Sequence, residues 1–370
     1  MGWIAMDELG EKLARLEHLR SARGLGGLLL ARNENVAWAS GGARSHIVLS
    51  QETGVGALLY DGTGLRLLTS SIEHGRLVDE ELTGLDTRPL VAPWYTDWRA
   101  EGIRASGLTH LGADIPLPGS LYCAAEIAAL RTPLMDAECA RFRVLGRDAA
   151  EALEASARAV RAGDTEYQIA ARTAANCIER GIDPIVALVS TDERIERVRH
   201  PLPTGRRIAE RAMLVVCGRR GGLVANATRF VQLGPVAADL LTRQVACARI
   251  AAAFLAATRP GATAGQVFAA GLAAYAAEGY PDDWHALHQG GAGGYLSREW
   301  LATPDGSQTI TQPQAFAWNP SLPGIKIEDT VLLTATGIEV LTDTGNWPRI
   351  EASAGGQSYR FASILELPQS

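Results

Sequence analysis

RAGDTEYQIAARTAANCIERG at residues 161–181 and RPGATAGQVFAAGLAAYAAEG at residues 259–279 align without a gap at an offset of 98. Each has Gly just after an Arg/Ala-rich helical run, then Thr-x-x-Gln, then a closing Gly. Thr-x-x-Gln is the pattern of a capping box, in which the Thr side chain and the Gln side chain satisfy each other's backbone N–H. The closing Gly suits the left-handed residue that ends many helices. Thr165 and Thr263 are therefore expected N-caps, with Gln168 and Gln266 reaching back to them. Two Ala-rich helices can look alike by composition alone, so the segments that follow matter. MLVVCGRRGGLVANATRFV (213–231) follows the first copy, and AFAWNPSLPGIKIEDTVLL (315–333) follows the second. Cys217 and Asn226 are nine apart, as are Asn319 and Glu328, and the two pairs are offset by 102. Asn226-Ala-Thr228 then matches Glu328-Asp-Thr330. These spacings predict two α-α-β-β halves related by an approximate two-fold axis. Their sheets would join around one pocket into which those four positions point.

Upstream, apolar positions recur at helical spacing from Met6 to Arg20, and Gly24 and Gly26 stop that helix. GLLLA (27–31) is a buried-strand run, and residues 56–60 and 65–70 are two more, with Asp61-Gly62 as the hairpin turn between them. A helical stretch near residues 73–81 and a short strand at 108–112 complete a small α/β domain. PLPG (116–119) and Thr132-Pro133 bracket a short helix and the linker, and residues 136–161 read as one long amphipathic helix. The fold class is α/β (α+β), with domains at 1–130 and 137–370.

The chain resembles the creatinase/prolidase/methionine-aminopeptidase (pita-bread) group, peptidase family M24. Asn-Ala-Thr-Arg at 226–229 matches the family's Asp-x-Thr-Arg, and Gly324-Ile-Lys-Ile-Glu-Asp-Thr330 matches Gly-x-Arg-x-Glu-Asp-Thr. His200 falls in the loop where members carry a substrate-handling histidine, and HQGGAGG (288–294) takes the place of the His-containing Gly-rich turn. Metal-dependent members hold two divalent cations with two Asp, one His and two Glu. By that resemblance the first Asp falls on or near Cys217, the second on Asn226, the His on Gly291 or a neighbour, and the first Glu on Asn319. Only the second Glu is kept, as Glu328. Paired cations need several anionic oxygens. One carboxylate, two amides and a glycine do not supply them, so no metal and no other cofactor is expected. A mononuclear site using His288 and a Cys217 thiolate is the metal-bound alternative.

Creatinase, a metal-free hydrolase on this fold, uses a histidine as proton shuttle and carboxylates to hold a cationic substrate. The resemblance thus makes His200, Glu328 and His288 the catalytic candidates, His200 because imidazole titrates near neutrality. Each also has a plainer reading. His200 sits among Arg197, Arg199 and Pro201 as a surface-loop residue would, His288 reads alternatively as a turn histidine satisfied by neighbouring carbonyls, and Glu328 stands two residues from Lys326, its potential ion-pair partner. Arg229 is a second possible partner for Glu328. Asn226 and Asn319 either recognise a polar substrate or repair a vanished metal site. Cys217 is a nucleophile if Arg219 and Arg220 favour its thiolate, and otherwise a buried core cysteine. Arg44 and His46, in GGARSH (41–46), stand where creatinase-like dimers present an Arg from one subunit to the other's pocket. With Lys326 and Arg229 they complete the substrate-binding candidates. Trp284, Trp300, Trp318 and Trp347 either wall the pocket or fill the core. His285 reads as scaffold, and Arg298-Glu299 as a local ion pair at a helix start.

The 370 residues carry 47% hydrophobic and 21% charged residues, with 35 basic against 41 acidic, a net charge of −6. That balance gives no reason to expect nucleic acid or an anionic membrane as partner. No run of about 20 uninterrupted apolar residues is present, and the Met1-Gly2-Trp3 start is neither basic nor an apolar signal core. Five widely spaced cysteines without a CxxC argue against a disulfide framework and for a reducing cytoplasm. Lys12 and Lys326 are the two lysines beside 33 arginines. The sequence thus points to a cytoplasmic enzyme, homodimeric by the resemblance, that cleaves a C–N bond of a small polar metabolite without metal. A metal-dependent Xaa-Pro aminopeptidase or prolidase, and a non-catalytic pita-bread scaffold, are the alternatives.

Overall fold

The computed structural model describes residues 4–369, so the Met1-Gly2-Trp3 start lies outside it. The chain divides into two compact units, Met1–Ala137 with the short segment Gly221–Leu223, and Glu138–Arg220 with Val224–Ser370.

In the first unit, helix Met6–Ala22 precedes a six-stranded sheet. Its order is Leu90–Ala92, Leu65–Ser70, Thr53–Tyr60, Gly27–Arg32, Leu111–Ala113, Leu121–Tyr122. Thr53–Tyr60 and Leu65–Ser70 form the antiparallel hairpin expected from Asp61-Gly62. Asp61 Oδ1 closes that turn by accepting from the Thr63 and Gly64 N–H groups. Residues 73–81 form a single helical turn, His74–Arg76, that widens into a π-helical turn, Leu77–Glu81. Leu29, Ala31, Ala57, Leu59 and Leu68 form the core of this sheet.

Helix Asp136–Arg158 leads into the second unit, where the duplication is physical. Helices Glu166–Ile178 and Ala264–Ala277 both begin with complete capping boxes, on Thr165/Gln168 and Thr263/Gln266. Each N-terminus is pinned to a neighbouring extended segment in the same way. Glu166 N–H donates to Arg206 O and Ala264 N–H to Gln308 O, both at 2.9 Å. Ile208 N–H donates to Asp164 O, and Ile310 N–H to Ala262 O. The acceptor pair Arg206/Gln308 and the donor pair Ile208/Ile310 both repeat the 102-residue offset. Replacing either capping threonine by alanine is expected to cost about 1 kcal/mol, read as the shift in the urea unfolding midpoint.

Each half carries one strand more than the expected pair. The first half has Asp183–Thr191, Arg211–Arg220 and Leu223–Leu233, and the second has Gly290–Gly293, Gln314–Trp318 and Asp329–Thr334. The sheet runs Trp300–Leu301, Gly290–Gly293, Gln314–Trp318, Asp329–Thr334, Leu223–Leu233, Arg211–Arg220, Asp183–Thr191, so the two triplets meet last strand to last strand. Strand Ile364–Leu367 adds in parallel to Leu223–Leu233.

Gly290–Gly293 corrects the expectation of a Gly-rich turn. It is a strand paired on both sides. Glycine is disfavoured in strands, which is why the run does not read as one, but here nothing larger fits. A Cβ on Gly290 would lie 2.1 Å from Ala317 O, and one on Gly291 2.1 Å from Trp300 O.

Helix Ala238–Ala257 is long and apolar enough to cross a membrane, yet Cys247, Ile250, Ala252 and Phe254 along it are fully buried in the core of this unit. Phe254 stacks on Trp318 at 5.1 Å, and Trp318 on Phe316 at 5.9 Å. Trp318 also donates through Nε1 to Thr258 Oγ1. Trp347 donates to Ser363 O, and Trp284 packs edge-on against Phe268. Trp318 and Trp347 are therefore buried structural aromatics.

Candidate functional site

The site forms at the joint between the two strand triplets. Ala227 lies opposite Asp329, Thr228 N–H donates to Glu328 O, and Asn226 N–H donates to Thr330 Oγ1 at 2.7 Å. Thr330 Oγ1 returns a bond to Asn226 O. The matched tripeptides of the two repeats thus face each other across the pseudo-two-fold. Trp318 pairs with Asp329, so Asn319, the next residue, falls beside Glu328.

Glu328 is 4% exposed and both carboxylate oxygens are engaged. Oε2 accepts from Lys326 Nζ at 2.7 Å and from Thr228 Oγ1 at 2.8 Å, while Oε1 accepts from Arg298 Nη2 at 2.8 Å. Burial alone would raise its pKa. The charges and hydrogen bonds of Lys326 and Arg298 outweigh burial and hold it well below the ordinary carboxylate range.

Arg298 corrects the expectation of a local pair with Glu299. Glu299 Oε1 instead accepts the Tyr295 and Leu296 N–H groups, closing the turn between strands Gly290–Gly293 and Trp300–Leu301. That turn presents Ser297 and Arg298 to the site. Ser297 Oγ donates to Asn226 Oδ1 at 2.8 Å, so the amide of Asn226 is oriented by the protein. Ser297, Arg298 and Thr228 are site residues that sequence reasoning missed. The position of Ser297 and Arg298, just after a glycine run, was the available signal.

Asn319 is 2% exposed and its Oδ1 has no hydrogen-bond partner. His288 Nδ1 is likewise buried and unpartnered. Burial, and then the positive charge of Arg298, push the His288 pKa down to about 4, so its ring is neutral at pH 7. His200 is exposed, with its ring centroid 5.7 Å from that of His288 and the planes tilted by 41°. Its loop is pinned on both sides of the histidine by the fully buried Glu166. Glu166 accepts from Thr191 N–H and Oγ1, Arg194 Nη1, and Thr204 N–H and Oγ1. His285 instead stacks on Trp284 at 3.6 Å, away from this network.

Cys217 is buried, and burial, with the nearby Glu328 charge, pushes its thiol up to about 11. It is neutral and not an activated nucleophile. The arginines expected to favour a thiolate are engaged elsewhere, Arg219 with Asp183 and Arg220 with Asp148. Arg229 is also not a partner of Glu328. Fully buried, it pairs with Asp329 at 2.9 Å and Glu154 at 3.3 Å, and donates to Thr228 O and Thr342 O. It braces the strand joint from behind, because residues 328 and 329 point to opposite faces. Arg44 and His46 belong to the first unit, where Glu81 holds both the Arg44 guanidinium and its backbone N–H.

Residues 140–335, more than half of the chain, match metallopeptidase family M24. The chain belongs to family M24. Agropine synthesis cyclase of Rhizobium rhizogenes is 27% identical over 271 residues, which are 65% of this chain and 64% of that protein. The chain thus spans just under two thirds of that relative's length. Prolidase of Pyrococcus horikoshii has the same fold, with a TM-score of 0.76 at 19% identity over 90% of this chain and 98% of that one. So does an Xaa-Pro dipeptidase of Bacillus anthracis, with a TM-score of 0.74 at 16% identity over 97% and 100% of the two chains. The M24 pita-bread fold, with its N-terminal domain, is that of this protein.

The family description implies metal, and the residues present do not fit it. Among the described residues no three His, Cys, Asp or Glu side chains converge as a metal would require. At the five positions where the resemblance places ligands stand a neutral thiol, an amide held by Ser297, a glycine, an amide whose Oδ1 is unpartnered, and Glu328. Glu328 in turn is neutralised by a lysine and an arginine.

Glu328 and His288 both bind a proton less readily in the folded protein than in the unfolded chain. Both contributions to stability are therefore complete above the unfolded pKa values and lost as pH falls. For His288 the loss runs from about 6.5 downwards, and for Glu328 it begins near about 4.3. Urea midpoints measured from pH 7.5 to 4 are expected to fall monotonically, and His288→Asn to remove the part of that fall above pH 5.

Proposed function

We propose that this M24 protein is a metal-independent enzyme that breaks a C–N bond of a small polar metabolite, by hydrolysis or elimination, with His200 as the proton shuttle. The observation that carries this reading is the engagement of both Glu328 oxygens by Lys326 and Arg298. A carboxylate so held already has a cation against each oxygen and is not a base at neutral pH. Acid–base work therefore falls to imidazole.

The exposure of His200 and its proximity to the neutral His288 support that role. It would take the proton from an attacking water or substrate hydroxyl as the C–O bond forms, then deliver it to the nitrogen as the C–N bond breaks. The enzyme ends with the same proton count it began with. His288 offers its unpartnered Nδ1 to substrate, and Asn226 and Asn319 offer amides on either side of Glu328. The protein would act as a cytoplasmic homodimer on a small molecule.

A second reading of the same chemistry is favoured by the relative whose name describes a cyclase. If the attacking hydroxyl belongs to the substrate, the same proton relay closes a ring instead of consuming water. A metal-dependent prolidase is disfavoured by the donor set. Protein dialysed against EDTA, and protein supplemented with Mn2+ or Co2+, are both expected to leave Xaa-Pro dipeptides intact. Hydrolysis that appears with added metal would overturn the proposal.

A further inference from the structure

The duplication supplies an internal control for one buried carboxylate. Glu166 opens helix Glu166–Ile178 and is fully buried, while Ala264 holds the same place in helix Ala264–Ala277 at the 98-residue offset. The backbone at the two helix starts is pinned alike. Tyr167 N–H donates to Thr204 O at 3.1 Å, and Gly265 N–H to Gly306 O at 2.8 Å. Both starts also have complete capping boxes. Starting the helix therefore needs no carboxylate, and a buried one is costly unless it is well bonded. Glu166 is well bonded. Its Oε1 accepts from Thr191 N–H and Oγ1 at 2.9 and 3.1 Å. Its Oε2 accepts from Arg194 Nη1, and from Thr204 N–H and Oγ1 at 2.9 and 2.6 Å. At the 102-residue offset these three partners become Gly293, Leu296 and Gly306. The second half thus lacks the carboxylate and every side-chain donor to it, and Gly306 packs directly on Ala264.

What the first half carries between Thr191 and Thr204 is His200. Among the described residues its ring makes no hydrogen bond or ion pair, and its neighbour is the His288 ring. The imidazole is therefore placed by its loop and not by bonds of its own. Arg194, held by Glu166, also donates through Nη2 to Leu202 O at 2.7 Å, two residues beyond the histidine. We infer that Glu166 is a positioning residue, which through Thr191, Arg194 and Thr204 holds the His200 imidazole beside His288. This inference rests on the reading of His200 as proton shuttle. Proton transfer needs the ring within roughly 3 Å of the group it serves, and a misplacement of about 1 Å can cost about 10²-fold in rate.

The test uses full-length protein labelled with 13C and 15N at histidine, in which the His200 ring signals are those missing from His200→Ala. The readout is the nuclear Overhauser contact between the His200 and His288 rings, with the urea midpoint measured alongside. Glu166→Ala/Thr204→Gly copies the residues with which the second half folds, and is expected to weaken the contact at least fourfold in protein that stays folded. Thr204→Val removes one hydroxyl at constant volume and should weaken it at least twofold. Thr204→Ser keeps both donors and should retain it. A carboxylate that only stabilised the fold would lower the midpoint and leave the contact unchanged. Wild-type contact strength in either of the first two variants, or no contact in the wild type, would overturn the inference. Turnover is not the readout, so the two readings fail separately. Wild-type turnover of the physiological substrate by His200→Ala would sink the proton shuttle and leave the anchoring by Glu166 standing, whereas a retained contact would sink the role of Glu166 and leave the shuttle standing.

Discussion

Replacing Glu328 by glutamine is expected to lower folding stability by about 3–5 kcal/mol, the usual consequence of removing one partner from a buried charge cluster. The glutamine keeps the shape of the side chain and can still bond Thr228 Oγ1. It leaves Lys326 and Arg298, within 2.7 and 2.8 Å of the former carboxylate, as a buried and a partly buried cation without a counter-charge. The loss should exceed what hydrogen bonding alone would give, because each charge must then be desolvated unaided. Urea unfolding at pH 7.5 measures it. A companion variant, Lys326→Met with Glu328→Gln, removes one of the stranded cations and should recover part of the loss, an interaction energy that a double-mutant cycle reads directly. A loss below about 1 kcal/mol in Glu328→Gln would mean that the ion pairs are solvated and that Glu328 is free for another role.

His200→Ala carries the second large effect, on rate and not on stability. A positioned general acid–base contributes typically ~10²–10⁴-fold, and kcat on the physiological substrate is expected to fall within that range. Folding stability should stay within about 0.5 kcal/mol of the parent, since the side chain is exposed and its loop is fixed by Glu166, not by the imidazole. Wild-type turnover in the folded variant would remove His200 from the mechanism. His288→Asn should behave differently, because the His288 ring is partly buried and contributes to the acid sensitivity described above.

The fold was legible where local chemistry and long-range pairing agree. Thr165/Gln168 and Thr263/Gln266 announce helix starts through hydrogen bonds within four residues, so a linear reading finds them. The matched Asn226-Ala-Thr228 and Glu328-Asp-Thr330 identify the joint because a duplication repeats the register. Legibility failed where a residue's role depends on what the rest of the chain brings to it. Gly290 and Gly291 have the composition of a turn, and only the Ala317 and Trp300 carbonyls packed over them make them strand. Arg298 stands next to Glu299, and adjacency suggested a pair. The turn geometry sends the two side chains to different partners, 30 residues apart in the case of Glu328. Arg229 and Glu328 look like natural partners in sequence, but alternation along strand Asp329–Thr334 gives Asp329 to Arg229 and leaves Glu328 to Lys326. The missing ligands were visible as residue types. That a lysine and an arginine engage Glu328 needed three-dimensional structure.

Metal stoichiometry decides whether Glu328 is an ion-pair partner or a metal ligand. The protein, purified without chelator and then equilibrated with excess Mn2+, Co2+ or Zn2+ and desalted, would be assayed by elemental analysis alongside a metal-dependent prolidase of the same fold. The ion-paired state of Glu328 predicts well under one equivalent of any of the three, while the prolidase retains its own. A full equivalent or more, held through desalting and lost in Glu328→Gln, would contradict the account.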